Sequence, residues 1–138
     1  MSEVVCDPDR VLKRLKDFQR RTAEYVFRRF YLDPEPTDRF LVADEVGLGK
    51  TLVAKGVIAL AMDHLHKKKI NRIDIVYICS NISIATQNIN RLNFTGIQEF
   101  FRPTRLSLLP MHIVGIRKNR VNYVGLTPGT SFDIQARD

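Results

Sequence analysis

No stretch of this chain is apolar for long enough to cross a bilayer, and its polar start, Met1-Ser2-Glu3, lacks a signal peptide's apolar core. These absences argue against a membrane partner. Cysteine is scarce: Cys6 and Cys79 are the only two, and their separation offers no metal-ligand spacing. Cys79 ends an apolar run and reads as a buried thiol, which suits a reducing, cytoplasmic setting. Internal repeats and low-complexity tracts are missing too. Acids are outnumbered, 15 against 22 lysines and arginines, leaving a formal charge of +7. That imbalance favours a polyanionic partner, nucleic acid first among them; simple solvation of the surface accounts for it equally well. The 138 residues, 44% hydrophobic and 27% charged, are enough for one globular domain with its own core.

The most informative stretch runs from Phe40 to Thr51. Phe40 to Ala43 are apolar and predict a short buried strand. Two glycines, a lysine and a threonine follow, and then a helix-forming run. Strand, glycine-rich turn, Lys-Thr and helix make up a phosphate-binding loop. Gly47 and Gly49 allow positive φ and bring backbone N–H groups close to phosphate oxygens. Lys50 places a point charge on the β- and γ-phosphates of ATP, the Thr51 hydroxyl ligates Mg²⁺, and the helix start adds its positive end. Lys50 and Thr51 are the candidate catalytic residues.

The general loop pattern wants a glycine at position 44, where this chain has Asp44. The run Asp44-Glu45-Val46-Gly47-Leu48-Gly49-Lys50-Thr51 instead resembles the variant of superfamily 2 helicases and translocases, DEAD/DEAH-type ATPases included. The Snf-type DNA translocases are nearest in form. The resemblance implies an α/β fold: a P-loop NTPase with a RecA-like parallel sheet and flanking helices. It also implies ATP and Mg²⁺ as ligands and double-stranded DNA as the track.

Residues 1–39 read as a helical lead-in and 40–138 as a partial RecA-like ATP-binding domain. In the lead-in, Asp9 reads as the helix N-cap. Val11, Leu12, Leu15, Phe18, Thr22, Tyr25 and Val26 recur every three or four residues, making one apolar face over one or two helices. Phe18 reads as core. Leu15-Lys16-Asp17-Phe18-Gln19-Arg20-Arg21 resembles the Q motif of the same superfamily. There a glutamine amide reads adenine through N6–H₂ and N7, which implies an adenine contact for Gln19. The alternative for a lone glutamine is an exposed helix position. Asp33 to Asp38, with two prolines, is a turn.

After Thr51 a largely buried helix runs to about His66, and Lys67-Lys68-Lys69 suits its negative end. His64 and His66, two apart, face different ways and make a poor metal pair. Ile70 to Ser80 is a β-branched run that predicts a strand covered on both faces. The polar turn after it resembles motif Ia, which implies nucleic-acid contact by Ser80, Asn81 and Ser83; ordinary N-capping is the alternative. Arg105–Leu109 and His112–Ile116 read as short strands, and Val121–Leu126 as a further one. Its end, Thr127-Pro128-Gly129, resembles motif Ib and implies another backbone contact; a type II-like turn is the plain alternative.

The chain also lacks the acid that hydrolysis needs, an Asp-Glu pair after an apolar strand. Beyond Thr51 the acids are Asp63, Asp74, Glu99, Asp133 and Asp138, and none fits. A second RecA-like domain is missing as well. The expectation is thus the N-terminal part of an ATP-dependent helicase or translocase, ending before its Walker B acid. It would bind nucleotide without turning it over. A non-catalytic nucleic-acid-binding module with a relic phosphate loop is the second reading, and a P-loop kinase the third.

Overall fold

The computed structural model describes residues 7–45, 47–95 and 113–128. They form two compact units, one of residues 7–70 with 91–95, the other of residues 71–90 with 113–128. The chain is mixed α/β, with a small two-stranded parallel sheet.

Three helices build the first unit: α1 (Pro8–Leu12), α2 (Asp17–Tyr31) and α3 (Lys50–Lys67). Asp7, one residue before Pro8, caps α1 by accepting from the Asp9 N–H at 3.1 Å. The expected cap at Asp9 is therefore displaced by two residues: Pro8 has no N–H and suits a first helical position. The buried seam of α2 is Gln19, Ala23 and Val26, one residue round from the expected face. Phe18 and Tyr25 flank it at 43% and 46% exposure, so Phe18 is not core. Small residues set the α2–α3 distance. Gly56 of α3 sits against Ala23 and Leu15, where an added Cβ would lie 2.9 Å from each. With Val53, Ala59 and Met62 it forms the buried stripe of α3. The His64 ring packs edge-on against Phe27, centroids 5.6 Å apart.

At the end of α2, Asp33 draws in Arg29 at 2.7 Å, and the proline turn follows as expected. The expected strand at Phe40–Ala43 does not form. This segment is irregular and Leu41 is 83% exposed, because no neighbouring strand among the described residues takes its backbone hydrogen bonds.

The second unit pairs β1 (Ile73–Ile78) with β2 (Val121–Leu126) in parallel, Ile73 opposite Val121 and Ile78 opposite Leu126. Between them lie α4 (Ile82–Leu92), which starts in this unit, and α5 (Ile113–Lys118). Parallel strands need such a crossover. β2 is buried through Gly125, whereas β1 alternates, leaving Val76 and Ile78 at 53% and 73% exposure. The expectation of cover on both faces of β1 is corrected accordingly: the described residues cover one. Residues 113–116 are helical rather than a strand, with Ile116 turned inward. Gly115-Ile116 breaks the period-2 alternation that a strand face needs. The expected strand at Arg105–Leu109 lies outside the described residues. Asn122, 1% exposed, donates to Asp74 Oδ1 at 2.8 Å and to the Ile116 carbonyl at 2.9 Å, tying both strands and α5 together.

Candidate functional site

The glycine loop adopts the backbone its residue types call for. Gly47 and Gly49 both have positive φ, +86° and +81°. An L-residue at either position would be strained. Gly49 is the N-cap of α3 in the left-handed conformation, and no side chain caps the helix there. The Lys50 and Thr51 N–H groups, first in α3, therefore have no intrahelical acceptor and no side-chain substitute. The Gly49 carbonyl already receives the Leu52 and Val53 N–H groups at 2.9 and 3.2 Å, which closes the first turn.

Lys50 folds back over the loop. Its Nζ donates to the carbonyls of Asp44 at 2.8 Å and Glu45 at 3.1 Å. The ammonium is thus held by neutral oxygens at an exposed position, with no carboxylate partner among the described residues. A cation satisfied only by carbonyls can exchange them for phosphate oxygens, since a charge-assisted bond is the stronger. Leu48 and Glu45 are exposed, Asp44 and Thr51 half-buried, and Val46 lies outside the described residues.

Gln19 reaches this loop from α2. Its Oε1 accepts the Lys16 N–H at 3.0 Å, and its Nε2 donates to the Leu48 carbonyl at 2.9 Å. The first contact is the reach-back half of a capping box; the second spans 29 residues. At 4% exposure the amide faces the protein's own backbone, so an adenine contact would require it to change partners. A Cβ on Gly49 would run into Gln19 Nε2, so this glycine answers to the glutamine as well as to its own φ. Pattern reasoning found both residues but not their contact.

The remaining expected site residues belong to the other unit. Asn81 caps α4, its Oδ1 accepting from the Ser83 and Ile84 N–H groups at 2.8 and 3.2 Å. This is the capping geometry of the plain alternative, and it occupies donors that a phosphate would use. Ser80 and Ser83 are exposed. Thr127 and Pro128 follow β2 directly, and Gly129 lies outside the described residues. Cys79 is half-buried, with its Sγ donating to the Asn81 carbonyl at 3.0 Å.

Of the acids beyond Thr51, the two among the described residues are engaged with cations. Asp63 pairs with Lys67 at 2.6 Å and Asp74 with Arg72 at 3.0 Å. Glu99, Asp133 and Asp138 lie outside the described residues. No group of three or more His, Cys, Asp or Glu side chains that could hold a metal occurs among the described residues. Mg²⁺ commonly takes one or two protein ligands plus phosphate oxygens and water, so the Thr51 hydroxyl on the first turn of α3 fits a metal carried in with a nucleotide. No helix among the described residues is long and apolar enough to cross a membrane. Comparison of the chain with family models, with curated proteins and with solved structures finds no match.

Proposed function

We propose that residues Asp44 to Thr51 bind the phosphates of ATP, and that the chain is the ATP-binding N-terminal part of a nucleic-acid helicase or translocase. The observation that carries the reading is the state of Lys50. Its ammonium lies over a turn of two positive-φ glycines at an uncapped helix start, satisfied by carbonyls alone. On binding, Lys50 exchanges the Asp44 and Glu45 carbonyls for phosphate oxygens. The Lys50 and Thr51 N–H groups supply further donors, and the Thr51 hydroxyl would hold the metal that accompanies the phosphates. That metal supplies charge neutralisation. Gln19 holds the loop through Leu48 and thereby sets where Lys50 starts. The RecA-like fold, the DNA track and the second RecA-like domain rest on the resemblance of the loop and of the motif-like segments around it, and the cytoplasmic setting on the cysteine usage.

In this reading the isolated chain binds nucleotide but does not hydrolyse it. Asp63 and Asp74 are both committed to cations, so neither is poised to position water. The same fact favours the second reading, a nucleic-acid-binding module with a relic loop. Calorimetry with ATP and Mg²⁺ on wild type and Lys50→Ala separates the two. Binding lost in the variant supports the nucleotide site; identical titrations, or no heat from wild type, reject it.

A further inference from the structure

A second feature of the first unit lies apart from the loop. Between α1, the flank of α3 and residues 93–94 is a cavity of about 410 Å³, and none of the described residues from Asp44 to Thr51 lines it. Three cations do: Arg10 of α1, Arg14 in the turn that follows α1, and Lys55 of α3. None of them has an ion-pair partner among the described residues. Asp7 adds one carboxylate, whose Oδ1 already accepts the Asp9 N–H. Phe94 and Leu52 supply apolar wall.

Surface cations are ordinarily solvated and apart. Here three of them face one concavity against the single carboxylate of Asp7, with which none is ion-paired, leaving a net positive lining. The ammonium of Lys55 is held below the usual lysine range, by burial first and by the nearby Arg14 charge second. Such a cluster is relieved by an anion. The volume exceeds what a single inorganic ion needs and falls among cavities that hold small organic ligands. An arginine fork matches phosphate geometry, an aromatic ring accepts a stacked base, and a carboxylate accepts a base N–H such as the N3–H of thymine.

We propose that this cavity binds one nucleotide unit, its phosphate at Arg10, Arg14 and Lys55 and its base against Phe94. The unit comes from a single strand or from a free nucleotide. The site is independent of the phosphate loop, and an acidic peptide is the competing occupant.

The test titrates the full 138-residue chain into a fluorescein-labelled oligo-dT of about ten nucleotides, read by anisotropy at several salt concentrations. Arg14→Gln and Lys55→Gln are each expected to raise Kd about tenfold and to lower the salt slope by about 0.7, the value of one single-strand phosphate contact. Circular dichroism checks that each variant is folded, and either one alone suffices. Lys50→Ala is expected to leave this binding unchanged, so failure here is distinguishable from failure of the ATP site. Displacement of the oligonucleotide by dTMP at matched nucleotide concentration assigns the site to free nucleotide; displacement by unlabelled strand only assigns it to nucleic acid. Both uphold the proposal. Wild-type affinity in both variants, no binding by wild type, or equal displacement by polyglutamate overturns it.

Discussion

Gln19 Nε2 donates to the Leu48 carbonyl at 2.9 Å, joining the second helix to the glycine loop across 29 residues of sequence. The bond is short, buried on the glutamine side, and directed at the backbone of the segment that presents Lys50. It makes loop position a property of α2 packing. Gln19→Ala leaves the Leu48 carbonyl and the Lys16 N–H without these partners. A loss of about 1–3 kcal/mol in stability is expected, read from the urea midpoint. ATP affinity should fall with it.

The two loop glycines should respond differently to alanine. At Gly47 an added Cβ meets nothing within 4 Å, so the cost is the positive φ alone, about 1–2 kcal/mol. At Gly49 the same strain is joined by the collision with Gln19 Nε2. Gly49→Ala is therefore expected to be the more destabilising. Combined with Gln19→Ala it should cost less than the sum of the two single changes, because the truncated side chain vacates the space. Additive costs in a double-mutant cycle would contradict this contact.

Gly56 tests the α2–α3 interface. Alanine is favoured over glycine in a helix interior by about 1 kcal/mol, which alone would stabilise the variant. Here its Cβ would lie 2.9 Å from both Ala23 Cβ and Leu15 Cδ1, and overpacking costs about 1–3 kcal/mol. Ala23 Cβ is bonded to the backbone and cannot swing away. Gly56→Ala is expected to lower stability, and a rise in thermal midpoint would show that the helices separate freely.

The depressed Lys55 pKa has a definite pH signature. The unfolded chain holds the Lys55 proton to higher pH than the folded one, so between the two pKa values the unfolded state binds more protons. Stability from this group therefore rises with pH through that window, which lies below the ordinary lysine value of 10.5. Comparing urea midpoints of wild type and Lys55→Gln from about pH 8 upward isolates it. The difference between them should shift toward wild type as pH rises.

Much of the helical organisation was legible in the one-dimensional pattern. The apolar spacing announced a helical lead-in, the proline pair between Asp33 and Asp38 its end, and the run from Leu52 to Ala61 the helix α3. Gly47 and Gly49 announced their own positive φ, since only glycine takes that backbone without strain. These are local properties, decided by dihedral preference and by periodicity within a few residues. Periodicity also placed the seam of α2 too broadly: Phe18 and Tyr25 satisfy the spacing yet lie at its flanks, because Gly56 and Ala23 bring α3 close only along a narrow line.

What the sequence determined by itself was therefore the class of helices α1 to α4, though not of α5, together with the paired strands β1 and β2, the loop backbone and the residue types it displays. Only the tertiary structure decided how they meet. Phe40 to Ala43 has strand composition and stays irregular, because a strand exists only where a neighbour takes its hydrogen bonds. Gln19 turns from an open amide into the tie that holds Leu48, and Arg10, Arg14 and Lys55 become one cationic cavity. Those outcomes depend on contacts between residues tens of positions apart, which composition and spacing do not encode.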